Sequence, residues 1–370
     1  MYYRNIAIII SVVLLSTLLI YLPFIFKLWI GGLQLANSDL SYIYRNYDGP
    51  LYIIPAKTFY NTAAIRNLGI ELPLDPKYFA AHLPVYPVFI RLFSFMGYLH
   101  SMVFVNILST AALALLFYHI LRRYKLSANP VLLTTIFLFL PRFLVVRSVG
   151  APESLFMLLI LASLYCFEQK KYFLAGIAGA LATATKTPGI LLIAAYGLVI
   201  VERFVKTRRF DPRTLFLLLI PAGLAGVFYL YYVQMGDFFA YFHTGGVVPI
   251  VYPYAAFNFQ KTWIGTAWLE DIIMYFFLYL YAAVSMKEVK QRSFFYFAVV
   301  FFAATTFVQH RDIARYSLPL WPIACIALNQ WFTSRKFLVV FLILLPAIYL
   351  YAWNFIVYNI IPISNWAPFV

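Results

Sequence analysis

The chain has 370 residues, of which 64% are hydrophobic and only 11% charged, with a mean hydropathy of +0.84. So few charges cannot cover the surface of a soluble protein of this size. The apolar runs are continuous rather than short and alternating, which excludes a β-barrel and leaves an all-α polytopic membrane protein. The net charge of +15 is spread as short Lys/Arg clusters between apolar runs, the pattern of topology signals rather than of nucleic-acid binding.

In chain order, residues Met1 to Tyr21 carry one Arg and then an apolar run resembling an uncleaved signal anchor. No A-x-A-like site follows, so this is taken as the first spanning helix. Helices are predicted at about 6–30, 98–121, 129–147, 150–168, 172–185, 188–202, 214–234, 266–286, 293–309, 316–333 and 336–358. The fifth and sixth are short and joined at Lys186-Thr187-Pro188-Gly189. If they form a returning hairpin, five basic clusters share one side: Arg122-Arg123-Tyr124-Lys125, Lys170-Lys171, Arg203 through Arg213, Lys287 through Arg292, and Arg335-Lys336. The positive-inside rule places that side, with the N-terminus, in the cytoplasm. A ten-helix count puts one cluster on the wrong side, so about 11 transmembrane helices are expected, in one domain spanning 1–370.

The outer face then carries a long loop, 31–97, in which Pro55 to Asn67 and Pro84 to Met96 read as interfacial helices. It also carries Asp48, His82, Arg142, Arg147, Glu153, Lys186, His310, Arg311, Asp312 and Arg315. Cations in short external loops oppose the topology signal, which gives them another use; the competing explanation for Arg142 and Arg147 is snorkelling to headgroups. Cys166 and Cys325 lie in separate apolar segments and suggest neither zinc nor a disulfide.

Asp48-Gly49 is a turn signal whose carboxylate, at a membrane mouth, has the chemistry of a general base. Lys186, Arg147, Arg311 and Arg315 suit a phosphate-bearing ligand through charge-assisted hydrogen bonds. Backbone N–H groups at Thr187-Pro188-Gly189, where a helix begins, fit an anion too. Glu153 after Pro152 reads equally as a substrate ligand or as an acid favoured by the helix dipole. With 30 Tyr and 37 Phe, most aromatics belong to interface belts and core; Tyr44, Tyr47, Tyr52 and Tyr86 are candidates to stack on a sugar. There is no DxD, no HExxH and no evident carboxylate pair at the outer face, so no metal or other cofactor is expected.

Four motifs in order carry a family resemblance over residues 30 to 200. They are Tyr47-Asp48-Gly49; Ala81-His82-Leu83-Pro84-Val85-Tyr86-Pro87; Pro152-Glu153-Ser154-Leu155-Phe156; and Ala182-Thr183-Ala184-Thr185-Lys186-Thr187-Pro188-Gly189. Arg315-Tyr316 before Pro319 is a late match. The chain resembles the GT-C superfamily of polyprenyl-phosphate-sugar glycosyltransferases, most of all the PIG-V type, the second mannosyltransferase of GPI assembly, and its prokaryotic relatives. It departs from their pattern at Tyr47 for Trp, His82 for an aromatic and Lys186 for Arg.

The resemblance implies a GT-C-like helical bundle and an inverting transfer of a hexose, mannose first, from a polyprenyl-phosphate sugar donor to a lipid or glycan acceptor. Asp48 would be the base. Lys186, Arg147, Arg311, Arg315, Glu153, His82, Tyr47, Tyr86 and His310 would surround the donor and its phosphate. The active site would face away from the cytoplasm, in a membrane expected to be prokaryotic. The partners are then lipids and glycans, with no nucleic acid. A surface-polysaccharide ligase or polymerase, and a lipid-linked-sugar transporter or flippase, are the alternatives; the one-sided charges and lack of an internal repeat favour a transferase over a transporter.

Overall fold

Among the described residues, six helices are long and apolar enough to cross a membrane: Tyr3–Ile25, Tyr98–Arg123, Thr187–Thr207, Pro212–Met235, Leu269–Glu288 and Arg335–Tyr358. The computed structural model describes residues 2–30, 35, 39–71, 74–244, 246–247, 249–265 and 269–370; the predicted start of the eighth helix, at 266, and parts of the 31–97 loop lie outside these. The other predicted segments are helical but shorter. Glu153–Glu168, Tyr172–Thr183 and Arg292–Thr306 are single pieces. Two are broken. Leu140, just before Pro141, is extended (φ −55°, ψ 125°), which divides 129–147 into Pro130–Phe137 and Pro141–Val146. The region of 316–333 is made of Ile313–Tyr316, Leu318–Leu320, Trp321–Ala327 and Asn329–Phe332, with Pro319 and Pro322 each in the first turn of a piece, where proline is tolerated.

Tyr172–Thr183 and Thr187–Thr207 form the returning hairpin. Its tip is so close that a Cβ on Gly189 would lie 2.5 Å from the Thr183 nitrogen. As a result the basic clusters gather at one end of the bundle. There Gln169 donates to the Tyr124 hydroxyl, Arg203 to that of Tyr172, and Arg292 pairs with Glu202.

The other end is closed by the long loop. The predicted helix over Pro55 to Asn67 is two, Ile53–Thr58 and Thr62–Asn67. Phe59 and Tyr60 between them have φ of 49° and 67°, and the Asn61 side chain caps the second helix by accepting from Ala64 N–H. Val85–Leu92 is amphipathic: Tyr86, Pro87 and Ile90 are buried, whereas Val88, Phe89 and Leu92 are exposed.

Two backbone features set the Tyr47-Asp48-Gly49 turn. Tyr47 itself is left-handed, with φ 52°, while Gly49 serves another purpose: a Cβ there would meet the Gly150 carbonyl oxygen at 2.6 Å. The chain beyond the last helix returns across this turn, with Tyr47 N–H donating to Asn359 O and Ile361 N–H to Arg45 O, both at 2.8 Å. Gly49→Ala must therefore push the turn off the 142–153 segment. Overpacking of this kind costs about 1–3 kcal/mol, so the variant is expected to melt several degrees lower than wild type in detergent. An unchanged melting temperature would show that the turn does not depend on this approach.

Candidate functional site

The polar residues at the loop-covered end converge on one guanidinium. Arg315 lies in the short helix Ile313–Tyr316, capped by the Asp312 side chain. Its Nε donates to Glu153 Oε1 at 2.7 Å, and its Nη1 lies 3.4 Å from Asp48 Oδ2. Lys186, at the hairpin tip, donates to the same Glu153 Oε1 at 2.8 Å. The side chains of Glu153 and Arg315 are 3% and 10% exposed, whereas that of Asp48 is 44% exposed. Asp48 is thus the carboxylate open to a ligand, and Glu153 is the buried one that fixes the two cations.

Placing Glu153 there follows from its sequence position. Pro152 precedes it, and it begins Glu153–Glu168, where the helix dipole favours an acid. Buried ion pairs need partners to repay their desolvation; Glu153 has two cations on Oε1, while its Oε2 is buried without a hydrogen-bond partner. Burial alone would lower the Arg315 pKa, but Glu153 and Asp48 outweigh it and hold the guanidinium well above its ordinary value.

The expected substrate residues divide on the structure. Asp48, Glu153, Lys186, Tyr47 and Arg315 are brought together, with the Arg315 guanidinium 5.2 Å from the Tyr47 ring centroid and Lys186 Nζ 5.6 Å from that of Tyr316. His310 stands at the edge, its ring 5.0 Å from Tyr316 and its Nδ1 accepting from Asp312 N–H. Arg311 is exposed and has no ion pair among the described residues.

Arg147 and Tyr86 do not join the group. Arg147 is fully buried, and its three nitrogens donate to Leu138 O, Thr17 Oγ1 and Ser16 Oγ, so it ties the broken third segment to the first helix. Tyr86 lies on the inward face of Val85–Leu92 and donates to Met102 O at 2.7 Å. Tyr52 is likewise covered, edge-on to His82 at 4.7 Å and to Tyr86 at 5.1 Å, and Tyr44 packs edge-on to His100 at 5.3 Å; neither is arranged as a stacking platform.

Two residues outside the predicted set belong to it. Arg142 Nε donates to Asp312 Oδ1 at 3.0 Å, and its Nη2 meets Asp312 Oδ2. Asp312 Oδ1 also accepts from the Arg315 backbone N–H at 3.3 Å. Their presence among the outer polar residues was the only signal for them. The absence of a carboxylate pair expected from sequence does not hold in space, since Asp48 and Glu153 share Arg315. Among the described residues no group of three or more His, Cys, Asp and Glu side chains is disposed to hold a metal ion.

Arg315 also separates two cavities. One, a small recess, has Glu153, Lys186 and Tyr316 at its polar end and Phe156, Met157, Phe301 and Leu318 as an apolar floor. The other, also small, is bounded by Asn46, Tyr47, Arg142, Asp312 and Phe355.

The sequence profile of glycosyltransferase family 87 matches residues 83–248. That stretch contains Glu153 and Lys186 but neither Asp48 nor Arg315. No curated protein matches in sequence. Among solved structures, ArnT from Cupriavidus metallidurans, crystallised with undecaprenyl phosphate, superposes with a TM-score of 0.56 at 15% identity, over 91% of this chain and 62% of ArnT. The Archaeoglobus fulgidus oligosaccharyltransferase, tethered to an acceptor peptide, gives 0.52 at 13% identity, over 97% of this chain and 56% of its own. The fold is of the GT-C type. The chain spans about three-fifths of the length of these two proteins, and at such identities the likeness is one of architecture.

His82 supplies a pH test of this end of the molecule. It is buried among Tyr52, Tyr78 and Phe79, and its Nδ1 has no hydrogen-bond partner. Burial pushes its pKa from 6.5 down to about 4, with Asp48 opposing and Arg315 assisting. Below pH 6.5 the unfolded chain therefore takes up a proton that the folded chain refuses. Stability is complete above that pH and falls by roughly 1.4 kcal/mol per unit until about pH 4. Comparing melting temperatures at pH 7 and pH 5, wild type is expected to lose about 2 kcal/mol more than His82→Phe. Equal losses would mean that His82 is not held neutral.

Proposed function

We propose that the protein is a metal-independent membrane glycosyltransferase acting at the extracytoplasmic face. It transfers a hexose with inversion from a polyprenyl-phosphate donor to a lipid or glycan acceptor; the resemblance to the PIG-V type favours mannose. The observation that carries this reading is the exposed Asp48 carboxylate held 3.4 Å from a buried Arg315, which also shares Glu153 with Lys186. The family-87 profile over residues 83–248 and the architecture shared with ArnT, itself bound to undecaprenyl phosphate, support the same class.

In this reading the donor phosphate lies against Lys186 and Arg315, with its lipid along the apolar floor of the adjoining cavity. The local charges of Asp48, Glu153, Lys186 and Arg315 cancel, so an added phosphate must compete for a cation. Its nearest competitor is Asp48, the most exposed of the four and the partner at the longest distance. Drawing Arg315 toward the phosphate frees the Asp48 carboxylate to accept a proton. The acceptor hydroxyl then loses its proton to Asp48 and attacks the anomeric carbon from the side opposite the phosphate. One C–O bond forms and one breaks. The electron pair of the broken bond leaves on the polyprenyl phosphate, where Lys186 and Arg315 stabilise the charge.

The test is transfer of radiolabelled sugar from polyprenyl-phosphate mannose or glucose to an acceptor lipid extract by purified protein. Asp48→Asn is expected to keep undecaprenyl phosphate binding and lower transfer about a hundredfold or more. Near-full turnover by that variant refutes the base role. Lipid binding by the wild type without transfer from either donor points instead to a ligase or a flippase.

A further inference from the structure

Arg315 meets the substrate side of the site, but little of what aims it comes from that side. Its backbone N–H is capped by Asp312 Oδ1, and the backbone oxygen of Asp312 accepts from both Arg315 and Tyr316. Asp312 is in turn gripped along both carboxylate oxygens by Arg142, which opens the helix Pro141–Val146. Phe355, on the last helix, covers the Arg142 guanidinium at 3.9 Å and stacks on Tyr47 at 6.1 Å. Tyr47 lies 5.2 Å from the Arg315 guanidinium.

The electrostatic consequence is specific. Asp312 borders the same cavity as Arg315, so a free carboxylate at this position would draw the guanidinium away from Asp48 and Glu153. Occupied by Arg142, the carboxylate is neutralised and keeps only its capping bond.

We propose that Arg142 and Asp312 are positioning residues for the transfer reaction: the pair fixes Arg315 toward Asp48 and the donor phosphate and prevents its capture by Asp312. The inference rests on the donor-phosphate reading of Arg315. It goes further by assigning a purpose to two charges 170 residues apart that touch neither Asp48 nor Lys186.

The experiment is a double-mutant cycle on undecaprenyl phosphate affinity, measured by calorimetry on full-length protein in detergent micelles, with melting temperatures recorded for every variant. Arg142→Gln, which frees the capturing carboxylate, and Asp312→Ala, which removes the cap, are each expected to weaken binding about tenfold or more, while in an Arg315→Gln background neither changes it by more than about twofold. Arg142→Gln combined with Asp312→Asn is expected to bind more tightly than Arg142→Gln alone, because a side-chain amide in place of the carboxylate keeps the cap without the capturing charge. Equal losses with and without Arg315 would assign the pair a merely structural role and overturn the proposal, as would wild-type affinity in both single variants. Should a single variant not fold, the Arg142→Gln/Asp312→Asn pair, which leaves no unpaired buried charge, is compared with wild type in both backgrounds, and the same additivity decides. If wild type itself fails to bind undecaprenyl phosphate, the donor-phosphate reading falls; binding with additive losses removes only the positioning role.

Discussion

The arrangement depends on one buried carboxylate oxygen. Glu153 Oε1 accepts from Arg315 and Lys186 at once, and each of those cations is delivered by a different part of the chain, one from the hairpin tip and one from the short helix Ile313–Tyr316. Removing the carboxylate would leave two like charges facing each other with little water between them. With it present, the hairpin, the Glu153–Glu168 helix and the Ile313–Tyr316 turn are locked at a common level. Asp48, 3.4 Å from Arg315 and 44% exposed, is anchored more loosely by comparison, as the proposed exchange of partners requires.

The same end of the bundle holds a second buried cation with a different settlement. Arg147 has no carboxylate; it is satisfied by one carbonyl and two hydroxyls of a neighbouring helix. Arg147 is thereby fully hydrogen-bonded, whereas the carboxylate-rich cluster leaves Glu153 Oε2 and Arg142 Nη1 buried without a hydrogen-bond partner. Position within a helix decides between them. Arg142 and Arg147 are five residues apart, which places them about 140° apart around a helix, so one turns to Asp312 and the other to the first helix.

Composition and run length made the helical membrane fold legible, and the short Lys/Arg clusters made the hairpin at Lys186 legible. The break at Pro141 was written in the sequence as plainly as the spans, but a long apolar run outweighed it in the reading. At the site, Asp48 stood out because Tyr-Asp-Gly is a local signal. Glu153 did so only in part, and Arg142 and Asp312 only as members of the outer polar group, since no periodicity links residues so far apart. Asp48-Gly49 was read as a turn signal. In the fold it is Tyr47 that takes the left-handed conformation, and Gly49 is needed for its missing side chain.

The amphipathic helix Val85–Leu92 is anchored inward through Tyr86 and Ile90, while Phe89, Leu92 and, just beyond, the 80%-exposed Phe95 face outward. Its neighbour in sequence, His82, is packed with Tyr52, only four residues from Asp48. The exposed apolar side chains of this helix are thus linked by direct packing to the loop that carries Asp48. Whatever apolar surface meets Phe89, Leu92 and Phe95 bears mechanically on the turn that holds the carboxylate.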